Sequence, residues 1–344
     1  MVDPANAEFH DAVDPDDLQE LATNPQFKSL QCSAPVRDSV WPMLNDCFFA
    51  FRPDVALRVY GHYSTVCDLG FARQMRSVRH FAADCLMHAK NVEAIAEIPH
   101  LESLSLGIYD LDSFRVLELL PPTLTEMYLG ATRSKKPDLK PLSRFSMLKN
   151  LYIEGHTKNI ESLGELMCLE RLTLRSITTS DLSYLSDLPA LWSLDIKLGG
   201  IRSFVGIHGK DSIKHLELWQ IRELGDVTFV SDLPGLQYLF LQSLPHIESF
   251  PSLVNAQVLR RVVIENLKSL SDFSAFETAP ALEEFALIQG YKQMPEQLLP
   301  VLRNPSVRQA RGGFGSHRKN NTFLRLLKEH GKADWTTVKP FEFH

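Results

Sequence analysis

The residues of this sequence best equipped for chemistry are thiols and imidazoles in its first third. Cys85 and His88 form a Cys-x-x-His pair, and His62, Cys67 and His80 precede them. Such a pair brings two donors within reach of one ion, but a zinc site wants four convergent Cys or His ligands. Only this pair has useful local spacing, so structural roles are expected for all of these residues. Cys85 with His62 or His80 would make a nucleophile and its base, yet no third residue is placed to orient the base. Gly312-Gly313-Phe314-Gly315-Ser316-His317-Arg318-Lys319 is glycine-rich and basic, as phosphate-cradling loops are. It lacks the G-x-x-x-x-G-K-[ST] spacing, and neither G-x-S-x-G nor H-E-x-x-H occurs. The expectation is a cap loop there, and a chain with no catalytic residue, no metal and no cofactor.

The elements that must position any functional side chain follow one returning pattern, L-x-x-L-x-L. It reads Leu169-x-x-Leu172-x-Leu174, Leu191-x-x-Leu194-x-Ile196 and Ile213-x-x-Leu216-x-Leu218. It returns as Leu236-x-x-Leu239-x-Leu241, Leu259-x-x-Val262-x-Ile264 and Leu282-x-x-Phe285-x-Leu287, in steps of 22 or 23 residues. Degenerate copies start at Phe27, Asp54 and Val78, cleaner ones at Leu101, Leu124 and Leu148, and the series decays at Val307. Apolar residues flanking one polar residue alternate as a strand must, and the first leucine turns the incoming chain onto the same core. One coil cannot bury its own apolar edges, so neighbours must stack. Between strands, apolar residues recur three apart (Ile160, Leu163, Leu166; Leu182, Leu185, Leu188; Ile247, Phe250, Leu253), which suits 3₁₀ turns. Pro99, Pro189, Pro234 and Pro280 close such segments before the next strand.

The expected fold class is therefore α/β: a leucine-rich-repeat solenoid of about thirteen coils, with a curved parallel sheet on the concave face and 3₁₀ or short helical returns on the convex face. An acidic N-terminal cap is expected over 1–26, the solenoid over 27–312, and a basic capping helix and tail over 313–344. Asp14 is placed to N-cap a helix with a short apolar face of Leu18, Leu21 and Ala22, and Thr322 to N-cap one carrying Phe323, Leu326 and Leu327, stopped by Gly331.

Coils of roughly 21–24 residues with three-residue apolar spacing on the return resemble the internalin-like branch of leucine-rich-repeat proteins, which includes the phosphatase-regulating type. The closing Gly312–Asn320 phrase resembles the ends of bacterial repeat proteins of unassigned function, and carries no activity with it. Such families place an asparagine three residues after the last strand leucine. Here those positions are Ile177, Gly199, Ile221, Leu244 and Leu267, so apolar contact is expected to pack the turn instead.

Composition fits this reading. Of 344 residues, 44% are hydrophobic and 23% charged, which is ordinary globular usage. Asp and Glu outnumber Lys and Arg by 42 to 36, a net charge of -6, which argues against a general nucleic-acid binder. Cys32, Cys47, Cys67, Cys85 and Cys168 contain no CxxC pair and read as buried free thiols of a reducing compartment. Met1 to Asp17 has no apolar signal core, and no apolar run approaches the roughly 20 residues that span a bilayer. A cytoplasmic protein without membrane contact is expected. Acidic Asp14, Asp16 and Asp17 and basic Arg318, Lys319 and Arg325 also suggest weak, salt-sensitive self-association through the chain ends.

Residues between the apolar strand positions point to the sheet face and stack in columns. One column reads Glu126, Asn150, Arg171, Ser193, His215, Tyr238, Arg261; the next Tyr128, Tyr152, Thr173, Asp195, Glu217, Phe240, Val263; the third Gly130, Glu154, Arg175, Lys197, Trp219, Gln242, Glu265. Trp219, Tyr238 and Phe240 are expected to form an exposed aromatic cluster rimmed by Arg171, Arg175, Asp195, Lys197, Glu217 and Arg261. Tyr128, Tyr152, Glu154, His215, Gln242 and Glu265 complete the expected protein-binding face. Trp, Tyr and Arg dominate interface hot spots, although strand propensity alone also favours aromatics here. The function expected is a protein–protein interaction scaffold that binds a protein partner on this concave face. Two alternatives stand beside it: a substrate-recognition or regulatory subunit of a partner enzyme, and structural self-assembly through the oppositely charged ends.

Overall fold

A computed structural model describes residues 5–134, 137–336 and 339–344. The chain divides into two compact units, Met1–Leu169 and Glu170–His344.

In the first unit the strands Asn6–Glu8, Ser29–Cys32, Ala56–Tyr60, His80–Leu86, Ser103–Ile108, Glu126–Leu129 and Asn150–Glu154 pair in that order, all parallel. The pairing is parallel because every coil climbs, returns and climbs again in the same sense. Leu30, Leu57, Phe81, Leu104, Met127 and Leu151 stack across the strands and are all buried. The helix Pro15–Ala22 starts at Asp14, whose carboxylate accepts the Asp17 amide at 2.9 Å, and it buries Leu18. The aromatic-rich return folds as the helical turn Val40–Leu44 continuing into Asn45–Phe49, and it buries Trp41, Phe48 and Phe49. Later returns are 3₁₀ turns at Leu69–Gln74, Val92–Glu97, Lys140–Arg144 and Ile160–Glu165, with one short α-helical turn at Val116–Leu119. Among the described residues the strand ladder begins at Asn6, inside the stretch whose charge marks it as a cap. An edge strand needs only backbone pairing, so Asn6-Ala7-Glu8 carries no apolar alternation to announce it.

In the second unit the strands Arg171–Ile177, Ser193–Gly199, His215–Ile221, Tyr238–Gln242, Arg261–Glu265, Glu284–Ile288, Gln309–Gly312 and Ala333–Asp334 pair in order, again parallel. Leu172, Leu194, Leu216, Leu239, Val262, Phe285 and Ala310 share one register position and are buried. The returns Ser183–Leu185, Val205–Ile207, Thr228–Asp232 and Ser274–Thr278 are 3₁₀ turns. Ile247, Phe250 and Leu253 are buried in a return that forms no helical turn, which Pro245 and Pro251 disfavour.

The strand ends use a device the sequence did not announce. Ser176, Leu198, Gln220, Ser243, Asn266 and Gln289, each two residues past the last strand apolar residue, adopt left-handed backbone with φ between 50° and 59°. The next residues, Ile177, Ile221, Leu244 and Leu267, are buried, so apolar contact does pack these turns. No asparagine ladder runs through them, but single polar side chains do the same work elsewhere. Asn304 Nδ2 donates to the Phe276 and Ala279 carbonyls at 2.8 Å, and Gln293 Nε2 to those of Leu267 and Leu270 at 2.8 Å.

The closing helix is His317–Glu329, and its N-cap is Ser316 rather than Thr322. Ser316 is extended and its hydroxyl accepts the Lys319 amide, so the glycine-rich phrase ends in a cap and Thr322 lies inside the helix. Phe323, Leu326 and Leu327 are buried, and Gly331, with φ of 68°, takes the left-handed stop. The ladder continues past 312 to Ala333–Asp334, which pairs with Gln309 and Ala310. The thiols depart in part from expectation. Cys32 and Cys67 are buried, whereas Cys85, in a left-handed turn, and Cys168, directly before core Leu169, are exposed.

Candidate functional site

The residues of the expected binding face fall in both units. In the first, Tyr128 and Tyr152 pair across adjacent strands and stack with ring centroids 4.1 Å apart and planes 15° from parallel. The Tyr152 hydroxyl donates to Glu154 at 3.3 Å, and Asn150 donates to Glu126 at 2.8 Å. This is cross-strand packing of the kind that stabilises a sheet.

In the second unit, register places Asp195 beside Glu217 and Lys197 beside Trp219. Lys197 Nζ lies 2.9 Å from Asp195, 3.4 Å from Glu217 and 4.5 Å above the Trp219 ring. His215 Nε2 lies 3.3 Å from Asp195 and 3.5 Å from Glu217. Burial pushes the Asp195 carboxyl up, but bonds from His215 and Lys197 outweigh it and hold it below the usual carboxylate value. Burial acts downward on His215 and on Lys197; their carboxylate partners overcome it and raise both.

Asp195, His215 and Glu217 are the metal-ligand cluster found among the described residues, with one ligand atom from each within 4.8 Å of the others. A divalent ion drawn there would sit against the Lys197 ammonium, so this donor set does not fit a resident metal. The thiol–imidazole set of the first unit disperses. Cys85 is exposed, His88 pairs with Asp110 at 2.6 Å, and burial pushes the Cys67 thiol up to about 12 and the His62 imidazole down.

Trp219 and Phe240 pack against each other at 5.8 Å, and the Trp219 indole N–H is buried without a hydrogen-bond partner among the described residues. Tyr238 is not an open member of this cluster. It stacks on His215 at 4.8 Å with planes 6° apart, and its other neighbour, Phe341, belongs to the closing segment of the chain, at 5.5 Å. Burial pushes its hydroxyl up to about 12.

Arg261, expected on an exposed rim, is 5% exposed. It pairs with Glu284 and lies 4.9 Å from the rings of both Trp335 and Phe341. Trp335 is itself 2% exposed, packed on Val263 and Ala286 with Phe240 and Ile288 alongside. Arg171, the remaining rim arginine with a resolved ring contact, lies 4.8 Å over Trp192. Gln242 and Glu265 stay half-buried on the face, side by side.

The difference has one cause: Trp335 and residues 339–344 lie on the sheet face. The repeat pattern stops before residues 339–344, so the sequence alone places them in the tail beyond the basic capping helix. The available signal was Phe341-Glu342-Phe343, whose alternation of apolar and charged residues marks an extended segment with one buried side. The basic groups expected to join chain ends are also engaged locally. Lys319 donates to the Tyr291 and Gln293 carbonyls and Arg325 approaches Glu329 at 3.9 Å.

This architecture is that of a leucine-rich-repeat solenoid, and solved structures of that kind resemble it. An internalin, InlF of Listeria monocytogenes, shares 16% identity over 86% of this chain and 82% of its own, with a TM-score of 0.57. TLR13, solved as a complex with ssRNA13, shares 17% identity over 89% of this chain and 46% of its own, with a TM-score of 0.50. A leucine-rich-repeat protein of Leptospira interrogans shares 14% identity over 93% of this chain and 92% of its own, with a TM-score of 0.49. At these identities the likeness is one of fold. No protein-family profile matches the sequence, and no curated protein matches it. Among the described residues no helix is long and apolar enough to cross a membrane.

Proposed function

We propose that this chain is a non-catalytic, cytoplasmic protein-interaction scaffold that binds a protein partner through the sheet face of its second unit. The observation that carries the reading is Trp219. A large aromatic that the solenoid core does not need sits half-exposed on the face, with Phe240 beside it and an indole N–H that lacks an acceptor. Aromatic anchors bordered by polar side chains are the anatomy of a protein interface, and Lys197, Glu217, Gln242 and Glu265 supply the border. TLR13 is held in complex with an RNA. Here Asp195, Glu217 and Glu265 on the face and a net charge of -6 favour a protein over a polyanion.

Affinity capture from native lysate with the wild-type chain and with Trp219→Ala tests the reading. A stoichiometric partner whose affinity falls roughly 30-fold or more in the variant supports it. A partner held equally by both places the contact elsewhere. A captured modifying enzyme would specify the scaffold as its recognition subunit.

A further inference from the structure

Four side chains of the second unit grip the backbone of the closing segment. Gln237 acts as a two-point clamp: its Nε2 donates to the His344 carbonyl at 2.8 Å and its Oε1 accepts the His344 amide at 3.0 Å. Lys214 Nζ donates to the same carbonyl at 2.9 Å, Arg261 donates to the Lys339 carbonyl at 3.1 Å, and Arg260 donates to that of Glu342. Bonds to backbone hold an extended chain whatever its sequence.

Side-chain selection comes from the rings. Phe343 lies 5.1 Å from Trp192 and 5.8 Å from His215, while Phe341 lies 5.5 Å from Tyr238 and 4.7 Å from the Arg260 guanidinium. Glu342 and His344, between and beyond them, are exposed. Alternate residues of the segment therefore face the sheet, and each facing ring meets an aromatic and a cationic or imidazole neighbour. This combination of backbone clamps and ring seats two residues apart is a peptide groove, and the chain's own segment fills it.

We propose that the groove lined by Trp192, His215, Tyr238, Gln237, Arg260 and Arg261 binds an extended segment of a partner protein with aromatic side chains two residues apart, and that Phe341 and Phe343 are a tethered competitor for it. The proposal rests on the reading of the second unit's face as a binding surface, and it names the chemistry of the ligand. A tethered occupant acts at an effective concentration of about millimolar, so it discriminates against weak ligands and yields to tight or abundant ones. The groove adjoins Phe240 through Trp335, so a ligand that displaces the closing segment also meets the aromatic patch.

The test is fluorescence anisotropy with a labelled peptide of sequence Lys-Pro-Phe-Glu-Phe-His, titrated with the full chain and with its Phe341→Ala/Phe343→Ala variant. The variant should bind the peptide at least about tenfold more tightly than the wild type, because its own segment no longer competes. The same peptide with both Phe replaced by Ala should not bind, and adding Tyr238→Ala to the variant should abolish the gain. Equal binding to both chains, or none to a variant that melts like the wild type, overturns the proposal.

Should the variant melt early, hydrogen exchange on the wild type decides. The His344 amide, held by the Gln237 side chain, exchanging well before those of the Tyr238–Gln242 strand supports an exchangeable occupant, and exchange together with that strand overturns it. Peptide binding without any captured partner leaves the groove standing and removes the partner reading. A partner lost in Trp219→Ala, with no peptide binding, does the reverse.

Discussion

Leu218 and Trp219 are adjacent in sequence and opposite in consequence, and replacing each with alanine separates core from face. Leu218 is 0% exposed, sandwiched between Ile196 and Leu241 of the flanking strands. Its truncation leaves a cavity in a stack that cannot collapse without breaking register, and should cost about 2–5 kcal/mol. Trp219 loses different things: its packing on Phe240, worth about 0.5–1.5 kcal/mol, and the Lys197 ammonium over its ring, worth about 0.5–1 kcal/mol. Removing a buried indole N–H that has no partner returns some of that loss. Trp219→Ala should therefore cost about 1–2 kcal/mol, and Trp219→Phe, which keeps a ring and drops the N–H, close to zero. Urea unfolding followed by circular dichroism, with unchanged slopes, measures all three. Trp219→Ala matching Leu218→Ala would refute the division into core and face, as would a Leu218→Ala loss below about 1 kcal/mol.

Three further outcomes follow from the same geometry. The folded-state pKa of His215 lies above the ordinary imidazole value of 6.5, so its contribution is complete below that pH and fades as pH rises through the raised value. That of Asp195 lies below 3.8, so its contribution is complete above 3.8 and is lost as pH falls through the lowered value; urea midpoints should be highest between these limits, and His215→Gln should flatten the alkaline side. Gln220 is exposed and left-handed at φ of 50°, so Gln220→Gly should stabilise by about 1 kcal/mol in the same assay, against the usual sign for glycine. Gly206→Ala should destabilise by about 3 kcal/mol in thermal melts, because its Cβ would fall 1.8 Å from the Leu182 carbonyl oxygen of the preceding coil.

Most of the fold was legible because it repeats. Each L-x-x-L-x-L states strand, register and core at once, and the parallel pairing from Leu30 to Leu151 and from Leu172 to Phe285 follows from stacking those units. What escaped lies where repetition stops. Asn6–Glu8 and Ala333–Asp334 join the sheet by backbone pairing alone, and Ser316 takes the cap that Thr322 was expected to hold. The left-handed turn residues were illegible for another reason: Ser, Leu, Gln and Asn occupy the same backbone position, so no residue type marks it. The face columns were readable in register but not in exposure. Tyr238, Arg261 and Val263 alternate as outward residues should, and residues distant in sequence, Trp335 and Phe341, cover them. Alternation reports which side of a strand a residue takes, never what lies against it.

The central claim is that a partner meets the sheet face of the second unit. A photo-cross-linking amino acid placed at Gln242, half-buried on that face beside Trp219, tests it most directly when compared with one at Val205, 57% exposed in the Val205–Ile207 return. In native lysate the account predicts a discrete cross-linked partner from position 242, stronger when Phe341→Ala and Phe343→Ala are also present, and none from position 205. The same partner captured from position 205 and absent from position 242 would contradict it.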